Sequence, residues 1–149
     1  MSTSEPSTAA RALSIVRVIG YLVFIAAYFL PAVGEPGHNE TYKGSFCAWV
    51  TLINSFNAEF LKSKYILAIF SGWINPLMLL YIACQFSVKL RWVRRVLAGL
   101  IVVFILCTWV FFYLAPMVPL IGHWMWIAGI LMILAGELKS KAPSATVLP

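Results

Sequence analysis

Three cysteines, two histidines and an Asn-Pro pair inside an apolar run are the residues whose types could do chemistry in this 149-residue chain. A thiol oxidoreductase needs two cysteines that can approach one another. Cys47, Cys84 and Cys107 fall at separate depths of the expected architecture, farther apart than the roughly 7 Å a disulfide tolerates without backbone movement. An unpaired Cys47 could link two copies of the chain, but burial as a small apolar side chain is the expectation.

The histidines offer no more. His38 stands in a polar turn and His123 near the start of the last apolar run, so no pair is set to ligate a haem. No Cys, His and carboxylate cluster has the spacing of a metal site. His123 reads as a residue of the membrane–water interface, with proton sensing as its minor alternative. The chain contains no Asp, which removes aspartyl proteolysis, and no base lies within sequence reach of Ser71 or Ser87. A protein that is not an enzyme, with no cofactor and no metal, is expected.

Ser71, Asn75 and Thr108 form the most suggestive polar group. Pro76 removes one helix hydrogen bond and leaves the Gly72 carbonyl without its usual donor. In hydrocarbon that carbonyl must find another partner. Ser71 and Asn75 are local candidates, and Thr108 falls at a similar depth of the next run, so the three predict a polar layer near the bilayer midplane. Its role is either a kink with interhelical hydrogen bonds worth about 1 kcal/mol or less each, or a ligand or ion site at a broken helix.

The elements that must hold these residues are four apolar runs, 13–33, 65–86, 96–118 and 120–138, with no acidic residue before Glu137 at the end of the last. Runs of about 20 apolar residues are what a helix needs to cross a bilayer. The fold class predicted is therefore all-α: a polytopic membrane protein, one domain over 1–149, built as a four-transmembrane-helix bundle. Residues 1–10 and 142–149, rich in small polar residues, predict disordered tails. Bulky Tyr21, Phe24, Tyr28 and Phe29 favour a retained first span over a cleaved signal peptide ending near Ala32-Val33-Gly34.

Hydrophobic residues make up 62% of the chain and charged ones 11%, against about 25% charged in ordinary soluble domains. The pI near 9.5 does not point to nucleic acid, because the basic residues are sorted by position. Arg11, Arg17, Lys89, Arg91, Arg94, Arg95, Lys139 and Lys141 flank one side of the expected bundle, and only Lys43, Lys62 and Lys64 the other. That asymmetry predicts an inner (plasma) membrane protein with both termini cytoplasmic. Arg91, Arg94 and Arg95 read as a topology determinant, compatible with binding anionic lipid headgroups.

The loop 34–64 then lies outside. Its first part is turn-forming, and Asn39-Glu40-Thr41 matches an N-glycosylation acceptor. In 46–61, Phe46, Trp49, Val50, Ile53, Phe56 and Phe60 share one helical arc, opposite Thr51, Asn54, Ser55 and Glu59. An amphipathic extracytoplasmic helix follows, which either seals the bundle with its aromatic face or offers Phe46, Trp49, Phe56 and Phe60 as a docking or lid element.

Gly122, Gly129 and Gly136 recur every seven residues and predict a narrow helix face open to close backbone approach, within the chain or in a homo-oligomer. Trp92, Trp124 and Trp126 read as interfacial anchors. The leading functional expectation is binding of another membrane protein, as a regulator, an assembly subunit or a toxin-immunity protein would. The alternative is a small oligomeric carrier or lipid-handling protein that uses the Asn75-Pro76 break.

Overall fold

The computed structural model describes residues 8–37, 40–57, 66–115 and 117–138. Residues 1–7 of the first tail, the whole second tail, His38, the Asn39 acceptor and Phe60 lie outside the described residues, while 8–10, expected in the disordered tail, open the first helix. The architecture is mostly helical. Among the described residues five helices, α1 (Thr8–Ala27), α2 (Gly44–Asn54), α3 (Ile66–Cys84), α4 (Arg91–Leu114) and α5 (Ile121–Leu138), are accompanied by three short strands, β1 (Pro31–Gly34), β2 (Thr41–Lys43) and β3 (Val118–Pro119). Two of the helical stretches are long and apolar enough to cross a membrane: α3, and α4 with the 3-10 turn Val88–Leu90 before it.

Helix ends depart from the apolar runs for local reasons. The first run was expected to stay helical to residue 33, but α1 stops at Ala27 and closes with three-residue turns, Tyr28 N–H to the Ile25 carbonyl and Phe29 N–H to that of Ala26. Pro31 disfavours helical backbone at Leu30 and has no N–H to give. In the third run the helix begins earlier than expected, so Arg91, Arg94 and Arg95 occupy the first turns of α4 instead of a loop. Arg91 and Arg95 are exposed, whereas Arg94 donates from Nη1 to the Gln85 carbonyl just beyond α3 (3.4 Å).

The strands form a sheet of order β2-β1-β3, all antiparallel, that an all-helical expectation did not include. Val33 pairs with Tyr42 on one side and with Pro119 on the other. Gly37 makes the turn between β1 and β2 at φ 83°, backbone that glycine adopts without a side-chain clash. Gly44 N–H to the Leu30 carbonyl (3.1 Å) and Ser45 N–H to that of Tyr28 (3.0 Å) tie the start of α2 to the end of α1.

The glycine stripe of α5 is spent inside the chain. A Cβ on Gly129 would stand 2.6 Å from the Phe24 amide nitrogen, one on Gly122 2.7 Å from the Pro31 carbonyl oxygen, and one on Gly136 3.1 Å from Arg17 Nε. Gly20 meets Met132 and Ile133 in return, so α1 and α5 run antiparallel at backbone-to-backbone distance. Arg17 Nη2 donates to the Gly136 carbonyl (2.8 Å), and the Tyr21 hydroxyl donates to Gln85 Oε1 (2.7 Å). Both bonds sit at the end of the bundle away from the sheet. Ile74, Met78, Tyr81, Ile101, Ile130 and Ile133 fill the centre.

Helix α2 is turned over relative to a sealing role. Phe46, Trp49, Ile53 and Phe56 are 52%, 64%, 49% and 77% exposed, while Thr51 and Ser55 are half-buried. Gly72 of α3 is the reason: the space where its side chain would stand is taken by Thr51, whose Oγ1 lies 2.6 Å from that position. Such a notch admits a small side chain and no aromatic ring. The polar face can enter because its hydroxyls are satisfied within the helix, Thr51 donating to the Cys47 carbonyl (2.7 Å) and Ser55 to that of Thr51 (2.9 Å). The helix also stops at Asn54, short of the expected residue 61.

Candidate functional site

Under the sheet, the helices leave a cavity of about 400 Å³, within the roughly 300–1,000 Å³ range of small-molecule sites. Each surrounding element contributes to it: Tyr28 follows α1, Cys47 and Thr51 come from α2, Ser71 and Asn75 from α3, Thr108 and Phe112 from α4, His123 and Trp126 from α5. From α2 the small residues Ala48, Cys47 and Thr51 line the space together with Phe46 and Val50.

Ser71, Asn75 and Thr108, expected as one polar layer, do line one space. They are not bonded to one another, and none of them is spent on the Gly72 carbonyl that Pro76 frees. Ser71 Oγ donates to the Ala68 carbonyl (2.7 Å) and Thr108 Oγ1 to that of Phe104 (2.9 Å), each within its own helix. Asn75 Oδ1 accepts from Trp126 Nε1 (3.0 Å). Trp126 lies five residues into α5, whereas Asn75 stands at the middle of α3, so the bond joins the sheet end of one helix to the centre of the other.

Two residues read as interfacial belong to the site. Trp126 is half-buried and holds Asn75, whereas Trp124 and Trp92 remain 52% and 72% exposed, as anchors do. His123 is only 6% exposed. Rings surround it, with Phe112 at 4.7 Å, Trp126 at 5.6 Å and Trp109 at 5.7 Å between centroids. Its Nε2 is buried without a hydrogen-bond partner, a condition few buried polar atoms meet. The i, i+3 spacing of His123 and Trp126 is the signal that both share a helix face; their position at a run's end obscured it.

The cysteines are all free, with Cys84 in the core and Cys47 half-buried in the cavity wall. Burial pushes the Cys47 thiol up to about 11, so it stays protonated at neutral pH. At the mouth, the Glu40 carboxylate beside the Tyr42 hydroxyl (3.4 Å) raises that phenol above its ordinary value. Ser71 and Thr108 give their protons to backbone carbonyls of their own helices and turn their lone pairs to the lining. Among the described residues no three His, Cys, Asp or Glu side chains gather as metal ligands would. Comparison with protein-family models, with curated proteins and with solved structures finds no match for this chain.

Proposed function

We propose that this is a four-span membrane protein of the inner (plasma) membrane, with both termini cytoplasmic, that binds a small molecule in the cavity beneath its outer sheet. Support for the membrane reading is the outward apolar surface. Leu22, Ile25, Leu79, Val103, Leu106 and Leu131 are each at least half exposed, on four different helices, and such a belt is stable only against lipid or other protein. The basic residue asymmetry supports the orientation.

One observation carries the ligand reading: the neutral polar side chains of α3 and α4 converge on one cavity with a buried, unpartnered His123 nitrogen. Convergent polar groups in an otherwise apolar pocket are the ordinary form of a small-molecule site. Handling of a lipid-soluble compound, by carriage or by sequestration, is the activity that fits. Native mass spectrometry of the protein released from mild detergent tests it. Wild type should retain a small molecule that Asn75→Leu loses while staying folded; retention of nothing beyond bulk lipid by either protein would sink the reading.

A second reading has its own observation. The outward apolar face of α2, with Trp49, Ile53 and Phe56, is the kind of surface a regulator, assembly subunit or immunity protein would set against another membrane protein. A stoichiometric protein partner that survives Asn75→Leu and is lost on Trp49→Ser would favour it.

A further inference from the structure

Resting on the ligand reading above, the lining chemistry narrows the class of guest: we propose that the cavity takes a neutral, flat aromatic molecule bearing a carbonyl or hydroxyl group.

Charge is decided first. Among the described residues no Lys or Arg lines the cavity, so an anion would meet no counter-charge from them. Burying an unpaired charge costs far more than burying a neutral polar group. Among the described residues the one carboxylate in the lining is Glu35, which is exposed at the mouth. Water and salt screen it there, so it compensates poorly for an ammonium desolvated deeper in. A neutral guest avoids both costs.

Hydrogen bonding comes next. The hydroxyls of Thr51, Ser71 and Thr108 have given their protons to carbonyls of their own helices, so toward the cavity they offer lone pairs. Asn75 has committed its oxygen to Trp126 and offers its NH2, a donor. His123 adds the buried Nε2, which pairs with an acceptor or a donor according to its tautomer. A carbonyl oxygen meets the Asn75 donor, and a hydroxyl can meet the donor and an acceptor together.

Shape comes last. Tyr28, Phe112 and Trp126 supply aromatic walls, and stacked or edge-on contacts between rings add about 0.5–1.5 kcal/mol beyond burial for a flat ring system. Such a molecule partitions into lipid, and the belt around the helices would deliver it.

Benzophenone is a suitable probe, being a neutral aromatic ketone that attaches to nearby C–H bonds on near-ultraviolet irradiation: the carbonyl carbon joins the side-chain carbon and the carbonyl oxygen takes the hydrogen. The full chain in mild detergent would be irradiated with benzophenone, its 4-carboxylate or its 4-trimethylammoniomethyl analogue, and the adducts mapped by mass spectrometry. Benzophenone should label the lining saturably, foremost at Met117, and both charged analogues about tenfold less, given the cost of an unpaired buried charge. Asn75→Leu and His123→Leu should each lower the labelling about fivefold, as the loss of one hydrogen bond predicts. Ser71→Ala, the mildest change, serves as the control should either variant misfold, and a reduction of about twofold or more is expected.

If a charged analogue labels the lining best, or all three label it equally, the proposed class is wrong although the cavity remains a binding site. If adducts of every probe fall only on lipid-facing residues such as Leu22 and Ile25, the cavity reading falls with it.

Discussion

Gly129 of α5 sits so close to α1 that a methyl group on it would lie 2.6 Å from the backbone nitrogen of Phe24. Backbone cannot withdraw as a side-chain tip can, so the two helices must part. Gly129→Ala should therefore cost about 2 kcal/mol, in the range of overpacked cores, read as an earlier midpoint when unfolding in mixed micelles is followed by helical circular dichroism. A carbon added to Gly99 in α4 would meet, beyond its own stretch of helix backbone, no atom of the described residues within 4 Å. Gly99→Ala should be neutral or stabilise by about 0.5–1 kcal/mol through helix propensity. Equal effects of the two would show that the α1–α5 approach is not what holds the bundle.

Cys47 reports on α2. A thiol whose pKa lies near 11 and not 9 holds about one-hundredth of the thiolate of an ordinary cysteine below pH 9. Because the shift is upward, alkylation by iodoacetamide at Cys47 should be slow at pH 8 and keep rising about tenfold per pH unit until near pH 11. Gly72→Leu should abolish this protection, since a larger side chain there evicts Thr51 and lifts α2 from α3. Peptide mapping of the adduct at Cys47 would show a rate at pH 8 higher by about tenfold or more. A variant as slow as wild type would mean that the Gly72 notch does not seat the helix.

These two glycines mark how far the sequence could be read. The seven-residue spacing around Gly129 is visible in one helix alone, and its consequence, close approach, follows from the absence of side chains. Gly72 is different: it decides which face of α2 turns inward, yet nothing within 46–61 encodes a notch on a helix that begins at Ile66. Periodicity locates an amphipathic arc but not its partner, and in lipid the aromatic arc is free to face out. Strands of two to four residues carry too few positions for an alternation to register. Ser71, Asn75 and Thr108 were legible as polar residues at matching depth, whereas the burial of His123 depends on Trp109 and Phe112 of the preceding helix.

Asn75 and Trp126, which both line the cavity, cross-link α3 and α5. Asn75→Leu removes the acceptor and leaves the indole N–H without its partner, which should cost about 1–2 kcal/mol. Trp126→Phe removes the donor and leaves Asn75 Oδ1 without its partner, whereas in the double variant neither group is orphaned. The double variant should consequently be less destabilised than the two single losses added, by about 0.5–1 kcal/mol. Strict additivity in the same mixed-micelle unfolding assay would place the bond outside the folded state that matters in solution.

His123 should separate stability from binding. Its Nε2 is buried and unpartnered in the ligand-free chain, and a buried polar atom left unsatisfied costs about 1–3 kcal/mol. Leucine has a similar volume and no such atom. It gives up the edge contacts with Phe112 and Trp109, which are worth about 0.5–1.5 kcal/mol each at most. His123→Leu should therefore leave the protein without added ligand as stable as wild type, or raise its stability by up to about 1 kcal/mol, while ligand-induced stabilisation falls by up to about 1 kcal/mol, the equivalent of about fivefold weaker binding. The comparison needs thermal unfolding of both proteins with and without benzophenone. A large loss of stability in the empty variant would show that the histidine is a structural member of the aromatic cluster, its nitrogen satisfied by water, and not a group held in reserve for a guest.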